Sequence, residues 1–387
     1  MFKSAASSTV YADYNATAPL RKEAREAMLV AMEIGANASS VHGAGRKAKA
    51  VIERGRDQVA MAIGACRDDL FFTSGGTEAN FSVLKGACAA DPSLRLIVSA
   101  IEHDAVLAQF PDAERAPVTA DGVIDLDWLR HRMAEWISED GRPFLSLMFA
   151  NNETGVIQPV ADAARLVHDA GGLIHSDAVQ GLGKVQLSVV DLEVDYLTLS
   201  AHKIGGPQGV GAVFLAAGAP YICQITGGGQ EMGRRAGTEN VAGIAGFGAA
   251  CDAAVSDLDG FAKLAQLREK LENRLKTEGG VTIIGERVAR IANTTCLAKS
   301  GFRSETQVMA MDLAGVAVSS GSACSSGKVR RSHVLSAMNI SPELADGALR
   351  ISFGWQSTPD DHERVADAWL AAAMRAGQLS TPKKETA

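Results

Sequence analysis

Short apolar runs recur along the first two-thirds of this chain, separated by segments of helical period. Leu70–Thr73, Arg95–Ser99, Phe144–Ala150, Leu173–Ser176, Tyr196–Ser200 and Gly211–Leu215 are runs with little polar alternation. Each reads as a strand buried on both faces. Between them, Arg21–Ile34, Arg46–Ile63, Glu78–Ala90, Asp125–Ile137 and Val160–Ala170 carry helical periodicity; in Asp125–Ile137, Leu126, Leu129, Met133 and Trp136 share one face. Strands alternating with helices predict an α/β fold with a mostly parallel sheet covered on both sides.

The pattern changes after residue 243. An Ala-rich helix over Gly243–Asp257 leads into a charged one over Phe261–Lys276. Val281–Ile284, Thr294–Leu297 and Leu349–Phe353 follow as strands, with helices over Thr306–Leu313 and Asp361–Met374 and a polar tail from Gln378. This predicts a large domain over residues 13–257 and a smaller α+β domain over 258–387, joined by residues 1–12. A length of 387 residues suits two domains.

Composition adds mainly exclusions. The net charge of −7 offers no electrostatic footprint for nucleic acid or an anionic membrane. No apolar stretch approaches the roughly 20 residues of a spanning helix, and Met1–Thr9 has no signal-peptide core. Cytoplasm is the expected compartment. The six cysteines form no C-x-x-C pair, so neither a zinc site nor a disulfide framework is expected.

Chemistry gathers at the strand ends. The run Leu173–Ser176 ends in Asp177, and Tyr196–Ser200 leads to Ala201-His202-Lys203 and a Gly-Gly-Pro turn. Two neighbouring strands would bring an acid and a lysine to one sheet edge. Pyridoxal phosphate needs both: a lysine for the Schiff base, and a carboxylate that keeps the pyridinium nitrogen protonated. A lysine after a strand is ordinarily a solvated loop residue, but Ser200, His202 and Lys203 crowd within four positions.

Five further segments stand out, each with a plainer alternative. The turn Gly75-Gly76-Thr77 exposes amides at a helix start, where an anion binds, or is a turn capped by Thr77. His103 ends a strand and faces the ligand crevice of an open sheet, or caps a helix. Asn151-Asn152 makes a turn, or contacts a ring hydroxyl or a carboxylate. Gly227–Asn240, with Arg234 and Arg235, is an anion-seeking loop or a solvated one. Cys324 lies in the Ser/Gly-rich stretch Ser319–Lys328, followed by Arg330 and Arg331. Nearby positive charge and a non-core setting suit a nucleophilic thiolate, whereas the other cysteines sit in apolar or helical contexts.

Together these segments resemble the cysteine desulfurases of the NifS/IscS type, which are pyridoxal 5'-phosphate enzymes of fold type I. The resemblance runs from Tyr11-Ala12-Asp13-Tyr14-Asn15-Ala16-Thr17 to about Trp355, and Ser319-Ser320-Gly321-Ser322-Ala323-Cys324 is its most specific part. It implies a mostly parallel seven-stranded sheet sandwiched by helices. It implies that Lys203 forms the Schiff base, Asp177 pairs with the ring nitrogen and Gln180 meets the ring hydroxyl. His103 would stack on the ring and move protons. Gly76, Thr77, Ser200 and His202 would hold the phosphate, joined by Thr238 from a second subunit of a homodimer. Asn152 and Arg350 would bind the substrate carboxylate. The implied reaction takes sulfur from L-cysteine onto Cys324 as a persulfide, leaves L-alanine, and passes the sulfur to an acceptor protein such as an iron–sulfur scaffold.

Departures from the family pattern fall at Ala18, Ala38, Phe81 and the basic stretch Lys328–Arg331; the last bears on the acceptor. A selenocysteine lyase on the same fold is the nearest rival, though simple elimination needs no Cys324. A non-catalytic scaffold would predict decay at Lys203, Asp177, His103, Cys324 and Arg350, and all five are present.

Overall fold

The computed structural model describes residues 9–321 and 331–379. Cys324 and the basic stretch up to residue 330 lie outside the described residues. In chain order the strands are β1 (Val10–Tyr11), β2 (Leu70–Thr73), β3 (Leu94–Ser99), β4 (Glu114–Ala116), β5 (Arg142–Ser146), β6 (Leu173–Asp177), β7 (Tyr196–Ser200), β8 (Gly211–Leu215), β9 (Thr282–Ile283), β10 (Thr294–Ala298), β11 (Val316–Ala317), β12 (Ser319–Ser320) and β13 (Ala348–Ser352).

Seven of them form one sheet in the order β2-β8-β7-β6-β5-β3-β4. The pairs from β7 across to β4 are parallel, and only β8 runs antiparallel to its neighbours. This is the mostly parallel, seven-stranded arrangement expected. Its strands are apolar throughout because both faces are covered. Phe71 and Phe72, Phe144 and Leu145, and Tyr196 and Leu197 are neighbours that pack into opposite cores, as the two-residue period of a strand requires. On one face the helices Gly43–Ala62 and Val241–Ser256 pack together. Their glycines permit the close approach: a Cβ on Gly55 would lie 2.9 Å from the Ile244 carbonyl oxygen, and one on Gly248 2.8 Å from Gly55 Cα. The helix Gly76–Ala90 covers the other face.

A second, antiparallel sheet has the order β12-β13-β10-β9. The helices Leu264–Gly279, Ser304–Leu313 and Pro359–Arg375 pack on it around Leu275, Met311 and Trp369. β1 pairs in parallel with β11, and Asp13 then bridges to Ser352. The N-terminal segment therefore runs from its two-stranded pairing with β11 onto β13 of the small sheet.

Some boundaries differ from expectation. The helix expected over Phe261–Lys276 is broken into Leu258–Ala262 and Leu264–Gly279, with the poor helix former Gly260 in the first piece. The strand expected to run to Ala150 ends at Ser146, although the Leu147 and Phe149 amides still donate to the carbonyls of His175 and Asp177. β4, with the sequence Glu-Arg-Ala, is an edge strand with no apolar run to announce it. Among the described residues, no single helix is long and apolar enough to cross a membrane.

Candidate active site

The carboxyl ends of β3, β5, β6 and β7 open on one cavity of about 300 Å³, the place where open parallel sheets bind ligands. Asp177 is the last residue of β6, and Lys203 closes the short turn Ala201–Lys203 after β7. Acid and lysine thus reach the same edge, as expected. Gly76, Thr77, His103, Asn152, Gln180, Ser200, His202 and Arg350 line the same cavity. Thr238 does not; it is exposed on the loop after β8.

Asp177 is buried and doubly held. Its Oδ2 accepts from Asn80 Nδ2 at 2.7 Å, and its Oδ1 from the Val179 amide at 3.0 Å. Asn80 Oδ1 accepts from Thr198 Oγ1 at 2.5 Å, and Thr198 Oγ1 lies 3.1 Å from His175 Nε2. His175 Nδ1 in turn lies 2.9 Å from Ser146 Oγ. Burial lowers the His175 pKa to about 3, so its ring is neutral.

Lys203 Nζ donates to the backbone carbonyls of Asn15 and Ala16 at 2.6 and 2.8 Å. Asn15 is the hub of a wider network. Its carbonyl also accepts from Gln180 Nε2 at 3.0 Å, and its Oδ1 accepts from Lys184 Nζ at 2.8 Å and Asn293 Nδ2 at 3.2 Å. Its Nδ2 donates to Thr294 Oγ1 at 2.9 Å. Lys184 Nζ also donates to Gln180 Oε1 at 2.5 Å. With Oε1 taken, Gln180 keeps one amide hydrogen for a ligand. Burial, reinforced by Lys203 and Arg350, pushes the Lys184 ammonium well below its ordinary pKa.

Both histidine alternatives hold at once for His103. Its Nδ1 caps the helix Asp104–Leu107 by accepting the Ala105 amide at 3.0 Å, while the ring lines the cavity. The capping bond leaves the proton of the neutral ring on Nε2. Burial lowers its pKa, opposed by Asp177 and helped by Lys203. Burial first and Lys203 second also lower His202, to about 4; its Nδ1 lies 3.1 Å from Thr17 Oγ1. Glu102, beside His103 in sequence, is wholly buried, and burial raises its carboxyl pKa well above the ordinary range. Its Oε1 accepts from the Met148 amide at 2.6 Å.

The far wall carries Arg350, which is 1% exposed. Its Nη2 meets Asp13 Oδ1 at 2.8 Å and its Nη1 donates to the Asn152 carbonyl at 3.2 Å. Its buried Nε has no partner among the described residues. The guanidinium therefore retains donors for a carboxylate.

The residues fit pyridoxal phosphate. Gly75 has φ +146°, a backbone that favours glycine, and among the described residues no side chain caps the helix that starts at Gly76. Its first amides are free for an anion. A Cβ on Gly76 would lie 3.1 Å from Val179 Cγ2 and 3.5 Å from Ser200 Cβ, filling the cradle where Ser200 and His202 converge. A buried carboxylate, a lysine amine and a neutral imidazole complete the set that this cofactor uses. Sequence reasoning assigned no role to Asn15, Asn80 or Lys184. For Lys184 a signal existed, since it is a charged residue within the otherwise apolar turn that follows Gln180.

Comparison with known proteins agrees with this geometry. Residues 10–365 match the family described as Aminotransferase class-V, and the chain belongs to that family. Relatives of this chain include cysteine desulfurases. That of Cereibacter sphaeroides is 42% identical over 92% of this chain and 94% of its own length. Cysteine desulfurase IscS of Dictyoglomus turgidum is 38% identical over 97% of each. Among solved structures, a NifS-like protein from Rickettsia africae superposes with a TM-score of 0.86 at 33% identity, covering 95% of this chain and 99% of that one.

Proposed function

We propose that this chain is a pyridoxal 5'-phosphate-dependent cysteine desulfurase, which takes sulfur from L-cysteine and releases L-alanine. The observation that carries this is the convergence of Lys203, Asp177, His103 and Arg350 on one cavity. In net terms, L-cysteine and the Cys324 thiol become L-alanine and a Cys324 persulfide, and no external oxidant is needed.

Bound through Lys203, the cofactor supplies an electron sink for charge developing at the substrate α-carbon. Asp177 holds the ring nitrogen as a cation, with Asn80 and Val179 N–H fixing the carboxylate. The Gly76 and Thr77 amides, Ser200 and His202 hold the phosphate, and Gln180 offers its remaining amide hydrogen to the ring oxygen. Arg350 and Asn152 bind and orient the substrate carboxylate. The Lys203 amine would move the α-proton, and His103 Nε2 would move a second. Cys324 is the nucleophile, supported by its sequence setting beside Lys328, Arg330 and Arg331.

The working form is a homodimer in which Thr238 of each copy reaches the other's phosphate site. Thr238 is exposed and lines no part of its own chain's cavity. The loop that carries it is rooted by a buried pair, Arg56 Nη1 to Glu231 Oε2 at 2.7 Å. Residues 13–257 form the cofactor-binding domain, and 258–387 with 1–12 form the domain that carries Cys324. The sulfur acceptor is a protein, with an iron–sulfur scaffold as the candidate.

The test is to incubate the protein with pyridoxal phosphate and L-cysteine without reductant, then analyse the Cys324 peptide by mass spectrometry. Added sulfur on Cys324 together with alanine in solution is expected. Alanine or pyruvate without that adduct would overturn the role of Cys324.

A further inference from the structure

Arg350 lies in the middle of β13, and Ser319 of β12 stands directly opposite it in the antiparallel register. One carboxylate holds both. Asp13 Oδ1 accepts from Arg350 Nη2 at 2.8 Å, and Asp13 Oδ2 accepts from Ser319 Oγ at 2.7 Å. Asp13 is itself fixed from the backbone, by its bridge to Ser352 two residues further along β13. The result is a closed triangle of N-terminal segment, β13 and β12.

The two arms have different chemical meanings. Arg350 faces the cavity with donors still unspent. Ser319 belongs to a strand of two residues that leads in sequence directly toward Cys324. Among the described residues, this short strand has two ladder partners, Arg350 and Leu349. The Asp13 bond is thus a substantial part of what holds it. A guanidinium buried to this degree also needs its counter-ion to keep one orientation, because an unpaired buried charge turns toward whatever acceptor or water it can reach.

We propose that Asp13 is a positioning residue that yokes Arg350 to Ser319, so that the arginine meeting the substrate carboxylate and the strand leading to Cys324 hold a single arrangement. The proposal rests on the reading of Arg350 as the carboxylate-binding residue. It assigns Asp13 no contact with the reacting atoms. It excludes the opposite role, in which Asp13 competes with the substrate for Arg350.

The experiment uses the full-length holoenzyme and L-alanine, which carries the α-carboxylate without sulfur. Binding is followed by calorimetry, with KM and kcat on L-cysteine measured in parallel. Asp13→Asn keeps the shape and an acceptor for Ser319 but removes the charge. It is expected to weaken L-alanine binding and raise KM about tenfold, the loss of one charge-assisted hydrogen bond, while kcat and cofactor affinity stay near wild type. Ser319→Ala is expected to weaken binding about threefold. The double variant is expected to be no weaker than Asp13→Asn alone, because both act through one carboxylate. Additive effects, tighter binding in Asp13→Asn, or a loss that tracks cofactor affinity would each overturn the proposal. Should Asp13→Asn fail to fold, Ser319→Ala leaves the Asp13–Arg350 pair intact and decides alone: unchanged L-alanine binding sinks the yoke. A wild-type holoenzyme that binds L-alanine but forms no persulfide on Cys324 would remove the desulfurase reading without touching the binding result.

Discussion

Asn80 donates its side-chain amide to Asp177 at 2.7 Å, and this bond sets the direction of every other bond behind it. With its NH2 committed, Asn80 presents Oδ1 to the Thr198 hydroxyl. Thr198 Oγ1, having given its hydrogen, accepts from His175 Nε2–H. The neutral ring then accepts at Nδ1 from Ser146. A buried chain of five residues is thereby satisfied with one arrangement of hydrogens and ends on the carboxylate assigned to the cofactor ring.

Removing Asn80 should therefore loosen the cofactor without unfolding the sheet. Asn80→Ala leaves Asp177 with the Val179 amide alone. Cofactor affinity, titrated by the visible absorbance of the bound form, is expected to fall by about tenfold or more, the worth of one hydrogen bond to a charged group. Asn80→Asp sets a second carboxylate against Asp177, where two like charges cannot both ionise, and should bind the cofactor more weakly still. Equal affinity in Asn80→Ala and wild type would reduce the chain to packing.

Glu153 gives the protein a pH dependence of predictable sign. It is buried, accepts from Ser332 Oγ at 2.6 Å, and faces Arg350, Asp104 and Cys296. Burial raises its pKa from 4.5 to about 7, against the pull of Ser332 and Arg350. Between these two values the folded protein binds the proton that the unfolded chain has lost. Stability should thus fall as pH rises from 4.5 through 7, by about 3 kcal/mol in all, and level off above. Glu153→Gln keeps an acceptor for Ser332 and cannot ionise. Denaturant unfolding at pH 5.5 and pH 8 should show the variant gaining on wild type at the higher pH. Parallel slopes would mean that Glu153 ionises as if in water.

Much of the frame was legible because buried parallel strands are written as apolar runs and their polar ends stand out. Asp177 and Lys203 are such ends, and they meet as expected. The network behind them was not legible, because long-range contacts make it. Asn15 joins Thr294, Lys184 and Gln180, all far away in the chain. Nothing local in Tyr14-Asn15-Ala16 distinguishes a turn asparagine from a hub. His103 is a choice between cap and site residue when read from sequence alone; in the fold its Nδ1 caps the helix while the same ring lines the cavity. The Ser/Gly stretch from Ser319 carried no strand pattern. β12 exists because β13 offers it an edge and Asp13 a tether.

Lys184 should show the opposite pH sign from Glu153. Its ammonium is buried beside Lys203 and Arg350, and among the described residues its hydrogens go to neutral oxygens on Asn15 and Gln180. The unfolded chain holds the proton up to the ordinary value of 10.5, whereas the folded protein releases it far below. This residue makes stability rise as the pH climbs toward 10.5. Lys184→Met fills the same space without a titrating group, and the rise between pH 7 and pH 9.5 should flatten. The same substitution frees Gln180 Oε1, so cofactor affinity should also drop. A variant with wild-type pH slope would show that Lys184 stays charged.

The loop carrying Thr238 depends on a residue far from it in sequence. Arg56 binds Glu231 through two bonds of 2.7 and 3.0 Å, and the Phe72 amide adds a third to the same carboxylate at 2.8 Å. Both Arg56 and Glu231 are almost wholly buried. Glu231 and Met232 adopt φ of +49° and +58°, a left-handed conformation that non-glycine residues enter only when their surroundings hold them there. Arg56→Met leaves the Glu231 carboxylate buried without its cation, and should cost about 3–5 kcal/mol in denaturant unfolding. The double variant Arg56→Met with Glu231→Gln removes both charges and should recover part of that loss. If Thr238 completes the partner's phosphate site, both variants should also weaken cofactor binding, since the relaxed loop no longer presents the hydroxyl. The outcome against this is a single variant that loses stability while cofactor affinity and dimer mass in solution stay at wild-type values; the pair would then be a structural anchor with no bearing on the shared site.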